Sequence, residues 1–178
     1  MKTYVALFRG INVGGKNMLA MKDLVATLED AGCQDVATYI QSGNAVFRSD
    51  EADASLLSGR IKAAIEERHG FELRVLVLAS EEMERAVRSN PFPEAEPRTL
   101  HVYFLAASPE RPDLEGLEGI KGDRERFVLG DGVFYLHAPD GIGRSKLAAN
   151  VEKLLGVPAT ARNWRTVRKV MEMADQRG

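Results

Sequence analysis

The stretch ATYIQSGNAVFR, residues 37–48, contains two short apolar runs separated by the polar turn QSGN. Each run has the length and residue types of a β-strand, and serine, glycine and asparagine are typical turn residues. Consecutive strands that are joined by so short a turn pair antiparallel. The stretch therefore predicts a β-hairpin, and the elements that flank it decide which fold contains the hairpin.

One strand and one helix are predicted before the hairpin, and one helix and one strand after it. These elements are a strand at 3–8, a helix at 21–32, a helix at 55–70 and a strand at 73–78. Both helices end at a glycine, Gly32 and Gly70, the residue type that most often terminates a helix. The resulting order, β-α-β-β-α-β, is the split unit of the ferredoxin-like fold.

The second half of the chain repeats this order. Its elements are a strand at 100–106, a short helix within 108–119, a hairpin at 126–137, a helix at 144–156, a short strand at 158–162 and a final helix that starts near Trp164. The sequence thus predicts an α+β protein of two tandem ferredoxin-like (β-α-β-β-α-β) subdomains with antiparallel sheets, plus a C-terminal helix. No repeated motif aligns between the halves, so the duplication is inferred from element order alone.

The predicted domain boundaries follow from the same pattern. The N-terminal half covers 1–79, a connecting helix and proline-rich linker cover 80–98, and the C-terminal half with the final helix covers 99–178.

Composition limits the class of protein. The 178 residues are 44% hydrophobic and 28% charged, as in ordinary globular proteins. The one cysteine, Cys33, excludes an intramolecular disulfide framework and fits a reducing compartment. Arg9 interrupts the first apolar run, which is too short for a signal peptide or a membrane span. We expect a cytoplasmic protein with no membrane partner.

The three histidines lack metal-ligand spacing, so no metal site is predicted.

The glycine-rich stretch RGINVGGKN, residues 9–17, has three residues at the spacing of a phosphate-binding P-loop. They are Gly10, Gly15 and Lys16. Asn17, however, stands where a P-loop needs the serine or threonine hydroxyl that binds magnesium. The helical pattern also begins only further along the chain, and an antiparallel sheet lacks the βαβ crossover of P-loop proteins. The stretch is therefore not interpreted as a P-loop.

Two interpretations of this loop remain open. Its side-chain donors and flexible glycines could bind an anion, or the glycines could serve only a tight turn in which Asn12 bonds the backbone. The turn QSGN and the predicted helix start GRSK are further candidates, although Ser42 could be a simple turn residue and Ser145 a helix N-cap. The candidate ligand-binding residues are Arg9, Asn12, Gly14, Gly15, Lys16, Asn17, Ser42, Asn44, Arg144, Ser145 and Lys146. The sequence does not settle whether the loop and the QSGN turn meet.

The C-terminal segment RNWRTVRKV is basic. Residues 142–178 carry 8 basic and 3 acidic groups. A basic helix beside an aromatic ring is compatible with nucleic-acid binding, for which the candidates are Arg162, Trp164, Arg165 and Arg168. The sequence pI near 6.0 and the lack of an RNA-recognition aromatic motif disfavour this interpretation, and Trp164 could equally belong to the core.

Three motifs carry a resemblance to a known family. RGINVGG, TYIQSGN and RNWRTV are similar to those of the bacterial domain of unknown function 1697 family. The resemblance implies two ferredoxin-like subdomains in tandem and implies no reaction or cofactor. Ala20 departs from the family pattern, in which many relatives have a proline at the first helical turn.

The sequence is therefore compatible with three functions. The first is a cytosolic protein that binds a small anion or a nucleotide-like ligand at the glycine-rich loop. The alternatives are a nucleic-acid or protein adaptor that uses the basic last helix, and a purely structural role for the motifs. Whether the protein is an enzyme, and with which cofactor, is left open. A homodimer is also open, since the exposed edges of such sheets often pair.

Overall fold

The computed structural model describes all 178 residues. The first half contains β1 (Lys2–Arg9), α1 (Met21–Asp30), β2 (Gln34–Tyr39), β3 (Asn44–Ser49), α2 (Ala54–His69) and β4 (Arg74–Ala79), followed by the connecting helix α3 (Ser80–Arg88). The second half contains a 3-10 turn (Pro97–Thr99), β5 (Leu100–Leu105), α4 (Leu114–Ile120), β6 (Arg126–Leu129), β7 (Val133–His137), α5 (Lys146–Leu155), β8 (Ala159–Asn163) and α6 (Trp164–Asp175). None of these helices has both the length and the apolar character that a bilayer crossing requires.

Each half forms its own four-stranded antiparallel sheet. The strand orders are β2-β3-β1-β4 and β6-β7-β5-β8, which are the same arrangement in the two halves. With two helices in each half this is the ferredoxin-like topology. The predicted fold, two such subdomains and a C-terminal helix, is confirmed.

The core of the first half lies between its sheet and its two helices. Alternate residues of β1, among them Tyr4 and Phe8, face this core because successive side chains of a strand point to opposite sides. Leu24 of α1 and Ile61 of α2 pack against them and are fully buried. Cys33 belongs to the same cluster with 4% exposure, and burial raises the pKa of its thiol to about 11 although Arg60 acts in the opposite direction.

The second half has an equivalent core. Phe134 of β7 lies at its centre, stacked on Phe127 with ring centroids 5.4 Å apart and met edge-on by Tyr103 at 5.7 Å. Leu147 and Val151, one turn apart on α5, cover this aromatic group. The core of each half is therefore built from its own sheet and helices.

Specific residues begin and end the helices. The Asp53 carboxylate accepts from the backbone N–H of Ser55 at 2.8 Å and caps α2. Gly70 ends α2 and Gly156 ends α5, both with φ +75°, a conformation that glycine adopts without strain. Ser145 caps α5, since its hydroxyl accepts from Ala148 N at 3.0 Å.

The chain divides into two compact units, Met1–Arg85 with Lys169–Gly178, and Ala86–Arg168. The division falls within α3 and within α6, whereas the sequence pattern assigns all of the final helix to the second half. The Arg177 guanidinium donates to the Asp35 carbonyl at 2.8 Å, a tie within the first unit that local pattern could not reveal. Strand β2 also starts earlier than its apolar run, because an irregularity between Gln34 and Ala37 interrupts the alternation.

Candidate functional site

The glycine-rich loop after β1 is a miniature hairpin. Lys16 N donates to Val13 O at 3.0 Å, and Gly14 and Gly15 between them have φ of +58° and +74°. Positive φ at both central residues is the type I′ turn that favours glycine. The two glycines therefore close a hairpin, and α1 begins only at Met21, so the geometry is not that of a P-loop.

The side chain of Asn12 joins this loop to the QSGN turn. Its amide nitrogen donates to Gln41 O at 2.8 Å and to Leu19 O at 2.9 Å, and its oxygen accepts from Leu19 N at 2.8 Å. A second contact runs through Gly43, whose carbonyl accepts from Phe8 N at 2.9 Å. The structure thus brings together the two loops whose adjacency the sequence left open.

Two further asparagines of the candidate set also have partners within the protein. Asn17 donates from its amide to Gly10 O at 2.9 Å. Asn44 is fully buried and donates to Tyr39 O at 2.9 Å. Because a buried amide is costly unless it is hydrogen-bonded, the Asn44 contact is strongly favoured, whereas the Asn17 contact is exposed to solvent. A ligand here would have to be bound by other groups.

Those other groups line an open cleft beside the loop. The cleft has a volume of about 400 Å³ and is lined by Arg9, Gly10, Lys62, Glu72, Leu73 and Arg74. Arg9, the last residue of β1, lies directly opposite Arg74, the first residue of β4, in the antiparallel register. Lys62 comes from α2. The cleft therefore gathers three cationic side chains and one carboxylate.

Sequence reasoning found only part of this cleft. Arg9 belongs to the RGINVGG motif, whereas Lys62 and Arg74 carry no local signal. Their proximity depends on the pairing of β1 with β4 and on the packing of α2, which are contacts between distant parts of the chain. The exposed Lys16 and Ser42, by contrast, are not among the residues that line the cleft.

The GRSK segment lies at the start of α5. Ser145 is occupied as the N-cap of the helix, and Arg144 and Lys146 are exposed on either side of it. The segment belongs to the second unit, whereas the glycine-rich loop belongs to the first. In the second unit the segment is a helix start with two exposed charges.

The basic C-terminal segment is less exposed than its sequence suggested. Trp164 retains only 7% of its surface, so its ring is not available for stacking on a base. Burial lowers the pKa of Arg162 to about 10, and its guanidinium donates to the Ala161 carbonyl at 2.9 Å. Asn163 caps α6 by accepting from Arg165 N at 3.0 Å. Only Arg165 and Arg168 of the four nucleic-acid candidates are exposed.

Metal-ligating side chains are scattered. No group of three or more histidine, cysteine, aspartate or glutamate side chains has a spacing that could hold a metal ion. The imidazole of His69, for example, is hydrogen-bonded to the Thr27 hydroxyl at 2.9 Å.

Comparison with known proteins identifies the family. The family described as protein of unknown function (DUF1697) matches residues 1–135, which is most of the chain. A conserved bacterial protein from Streptococcus pneumoniae has a similar structure, with a TM-score of 0.74 and 24% sequence identity, over 97% of this chain and 98% of that one. Comparison with the curated proteins gave no match. The chain, with its paired ferredoxin-like units and its asparagine-braced loop, therefore belongs to the DUF1697 family.

Proposed function

We propose that the protein binds a small anion or a nucleotide-like ligand in the cleft beside the glycine-rich loop of the first unit. The observation that carries the proposal is the in-register pair of Arg9 and Arg74, with Lys62 lining the same cleft. The volume of about 400 Å³ lies within the range of small-molecule sites.

Electrostatics favours an anion at this position. Arg9 and Arg74 lie directly opposite each other on neighbouring strands, so that one anion at the end of these strands can interact with both guanidinium groups. Guanidinium groups offer planar pairs of N–H donors that match the oxygens of a carboxylate or phosphate. Glu72 opposes anion binding, but the lining charge stays positive with three cations against one carboxylate.

The motif asparagines support the site indirectly. Asn12 ties the loop to the QSGN turn, and Asn17 ties its far end to the carbonyl of Gly10, which itself lines the cleft. A rigid loop holds Arg9 in place before a ligand arrives, which reduces the entropy lost on binding. The structural interpretation of the motifs and the binding interpretation are thus compatible.

The test is ligand binding by the purified protein and by single variants. Inorganic phosphate, pyrophosphate and adenosine monophosphate are titrated against wild type, Arg9→Gln and Arg74→Gln by thermal shift and calorimetry. A ligand at about 100 times its Kd adds ~2.7 kcal/mol, which for a chain of this length raises Tm by roughly 5 to 11 °C. We expect that rise in wild type and a clearly smaller rise in both variants.

Arg85→Gln is the matched control, because it removes an exposed arginine of the same unit that does not line the cleft. The Tm of each variant without ligand separates lost binding from lost stability. Equal ligand-induced shifts in wild type and Arg9→Gln would contradict the proposal.

The adaptor function is the weaker alternative, because the buried Trp164 leaves Arg165 and Arg168 without an aromatic platform. It predicts steeply salt-dependent nucleic-acid binding that is lost when both arginines become alanine. A cytoplasmic location completes the proposal, since one buried free cysteine fits a reducing compartment.

A further inference from the structure

The second unit contains a larger pocket that no sequence motif indicated. It has a volume of about 710 Å³ and lies where the proline-rich segment 91–97 meets the ends of β6 and β7. The lining residues that matter here are Phe92, Arg98, Arg124, Arg126, His137 and Pro139. Three arginines and a histidine thus line one cavity together with two carboxylates, Glu94 and Glu96, and its volume lies within the range of small-molecule sites.

Arg126 is the most constrained of these cations. Its guanidinium carbon lies 4.8 Å from the centre of the Phe92 ring, and its Nη2 lies 3.2 Å from His137 Nδ1. The Phe92 and His137 rings lie against each other, with centroids 5.8 Å apart. Arg126 and His137 are also register partners across β6 and β7. Stacking and hydrogen bonding therefore orient the guanidinium before any ligand binds.

The histidine of this group is held in one tautomer. An arginine can only donate, so His137 must accept through Nδ1 and carry its hydrogen on Nε2. Burial, then Arg126 and then Arg124 lower the pKa of His137, which favours this neutral form. The imidazole consequently retains one N–H donor beyond the bond with Arg126.

The other two arginines have partners that a ligand could displace. Arg98 pairs with Glu96 at 2.8 Å and Arg124 with Asp140 at 2.6 Å. All four side chains are 66–68% exposed, and ion pairs this exposed contribute little stability. Arg126 is in no ion pair with a carboxylate, and its guanidinium contacts the neutral ring of Phe92 and the nitrogen of His137.

We propose that this pocket binds a small phosphomonoester, with its phosphate on Arg126 and its organic part against the proline wall. A dianionic phosphate has three oxygens and can engage more than one guanidinium, whereas one arginine already satisfies a carboxylate. Pro91, Pro93 and Pro139 supply an apolar surface beside the cations. The site lies wholly within the second unit and does not depend on the cleft of the first.

The first experiment is calorimetric titration of the full chain with phenyl phosphate, inorganic phosphate and benzoate. We expect phenyl phosphate to bind most tightly. Arg126→Leu, which keeps an apolar cover over Phe92 but removes the donors, should weaken its binding by about 10-fold or more. Arg126→Lys, which keeps the charge but loses the planar pair of donors, should fall in between.

Two controls make the result specific. Arg111→Leu removes an exposed arginine of the same unit that does not line the pocket, and Arg9→Gln alters only the cleft of the first unit. Arg111→Leu should bind phenyl phosphate as wild type does, and in Arg9→Gln the imidazole resonances of His137 should still respond to phenyl phosphate. Loss of binding in Arg9→Gln with retention in Arg126→Leu would overturn this proposal while supporting the first site.

Histidine NMR gives a second measurement that needs no variant. The chain has three histidines, and only His137 lines the pocket. Phenyl phosphate should shift the imidazole resonances of His137 and leave those of His69, in the first unit, unchanged. An unshifted His137 would overturn the proposal, and so would equal affinity for inorganic and phenyl phosphate, since the proline wall would then contribute nothing.

Discussion

Gly43 is the residue at which the QSGN turn passes closest to the strand beside it. Its φ is +90°, and a Cβ at this position would lie 2.8 Å from Phe8 Cβ and 2.5 Å from Ile11 Cδ1. The end of the isoleucine side chain could rotate away, but Phe8 Cβ is attached directly to the backbone of β1. Gly10 has almost the same φ, +93°, and a Cβ there would have no neighbouring atom within 4 Å. An alanine at Gly10 would therefore cause backbone strain alone, whereas an alanine at Gly43 would cause backbone strain and steric overlap together.

We predict that Gly43→Ala destabilises the protein more than Gly10→Ala does. Positive φ costs an alanine ~1 to 2 kcal/mol at either position, and overpacking adds roughly 1 to 3 kcal/mol at Gly43 alone. Urea unfolding of both variants at equal protein concentration measures the difference. Equal free energies of unfolding would mean that Phe8 and Ile11 yield without cost.

The same residues show what sequence can reveal at this scale. The composition of QSGN predicts a turn, since serine, glycine and asparagine favour turns locally. That Asn12 bonds Gln41, and that Gly43 abuts Phe8, depends on residues about 30 positions apart in the chain. Local composition therefore predicts the turn, but it does not predict that Phe8 and Ile11 leave no room for a side chain at Gly43.

Helix α2 carries a charged cap whose effect depends on pH. Hydrogen bonds from the Ser55 side chain, then from the backbone N–H groups of Ser55 and Leu56, hold the pKa of Asp53 below its ordinary value. A carboxyl with a lowered pKa in the folded protein stabilises it fully above the ordinary pKa. That contribution is lost as pH falls through the lowered value.

We predict that Asp53→Asn makes the free energy of unfolding less dependent on pH under acidic conditions. Asparagine caps a helix about as well as aspartate but does not titrate. Between about pH 6 and about pH 3, wild type should therefore lose more free energy of unfolding than the variant does. Asp53→Ala, which removes the cap, should be less stable than both at neutral pH. If the free energy of unfolding depended on pH equally in wild type and Asp53→Asn, this prediction would be contradicted.

Strand register explains why the sequence predicted only part of the first candidate site. Arg9 lies in a motif, but Arg74 acquires meaning only when β4 pairs with β1 so that the two arginines face each other. A shift of one residue would place Arg74 on the opposite face of the sheet. The periodic pattern predicted both strands without predicting their alignment, and the second pocket, built from a loop and two strand ends, was missed for the same reason.

At the scale of the whole molecule, the alternation of strands and helices predicted the architecture. Apolar periodicity and helix-ending glycines such as Gly70 and Gly156 are local features, and they are repeated in both halves. The extent of the compact units was less accessible to sequence. Lys169–Gly178 belongs to the first unit although it follows the second in the chain, and only long-range contacts such as that of Arg177 determine this.

Because the Cys33 thiol is buried, its reactivity can report when the first unit opens. With a thiol pKa of about 11, little reactive thiolate exists near neutral pH, whereas an unfolded cysteine titrates near 8.5. We predict that a disulfide reagent labels the native protein at least about 100-fold more slowly than the unfolded chain at about pH 8. Rapid labelling of the native protein would contradict this burial.

Because the chain has no other cysteine, the labelling rate follows the first unit alone. Moving the thiol, by Cys33→Ala with Ala138→Cys in the equally buried core of the second unit, would follow the other half. Comparison of the two rates would show whether the two halves of this protein open as one cooperative body or as two.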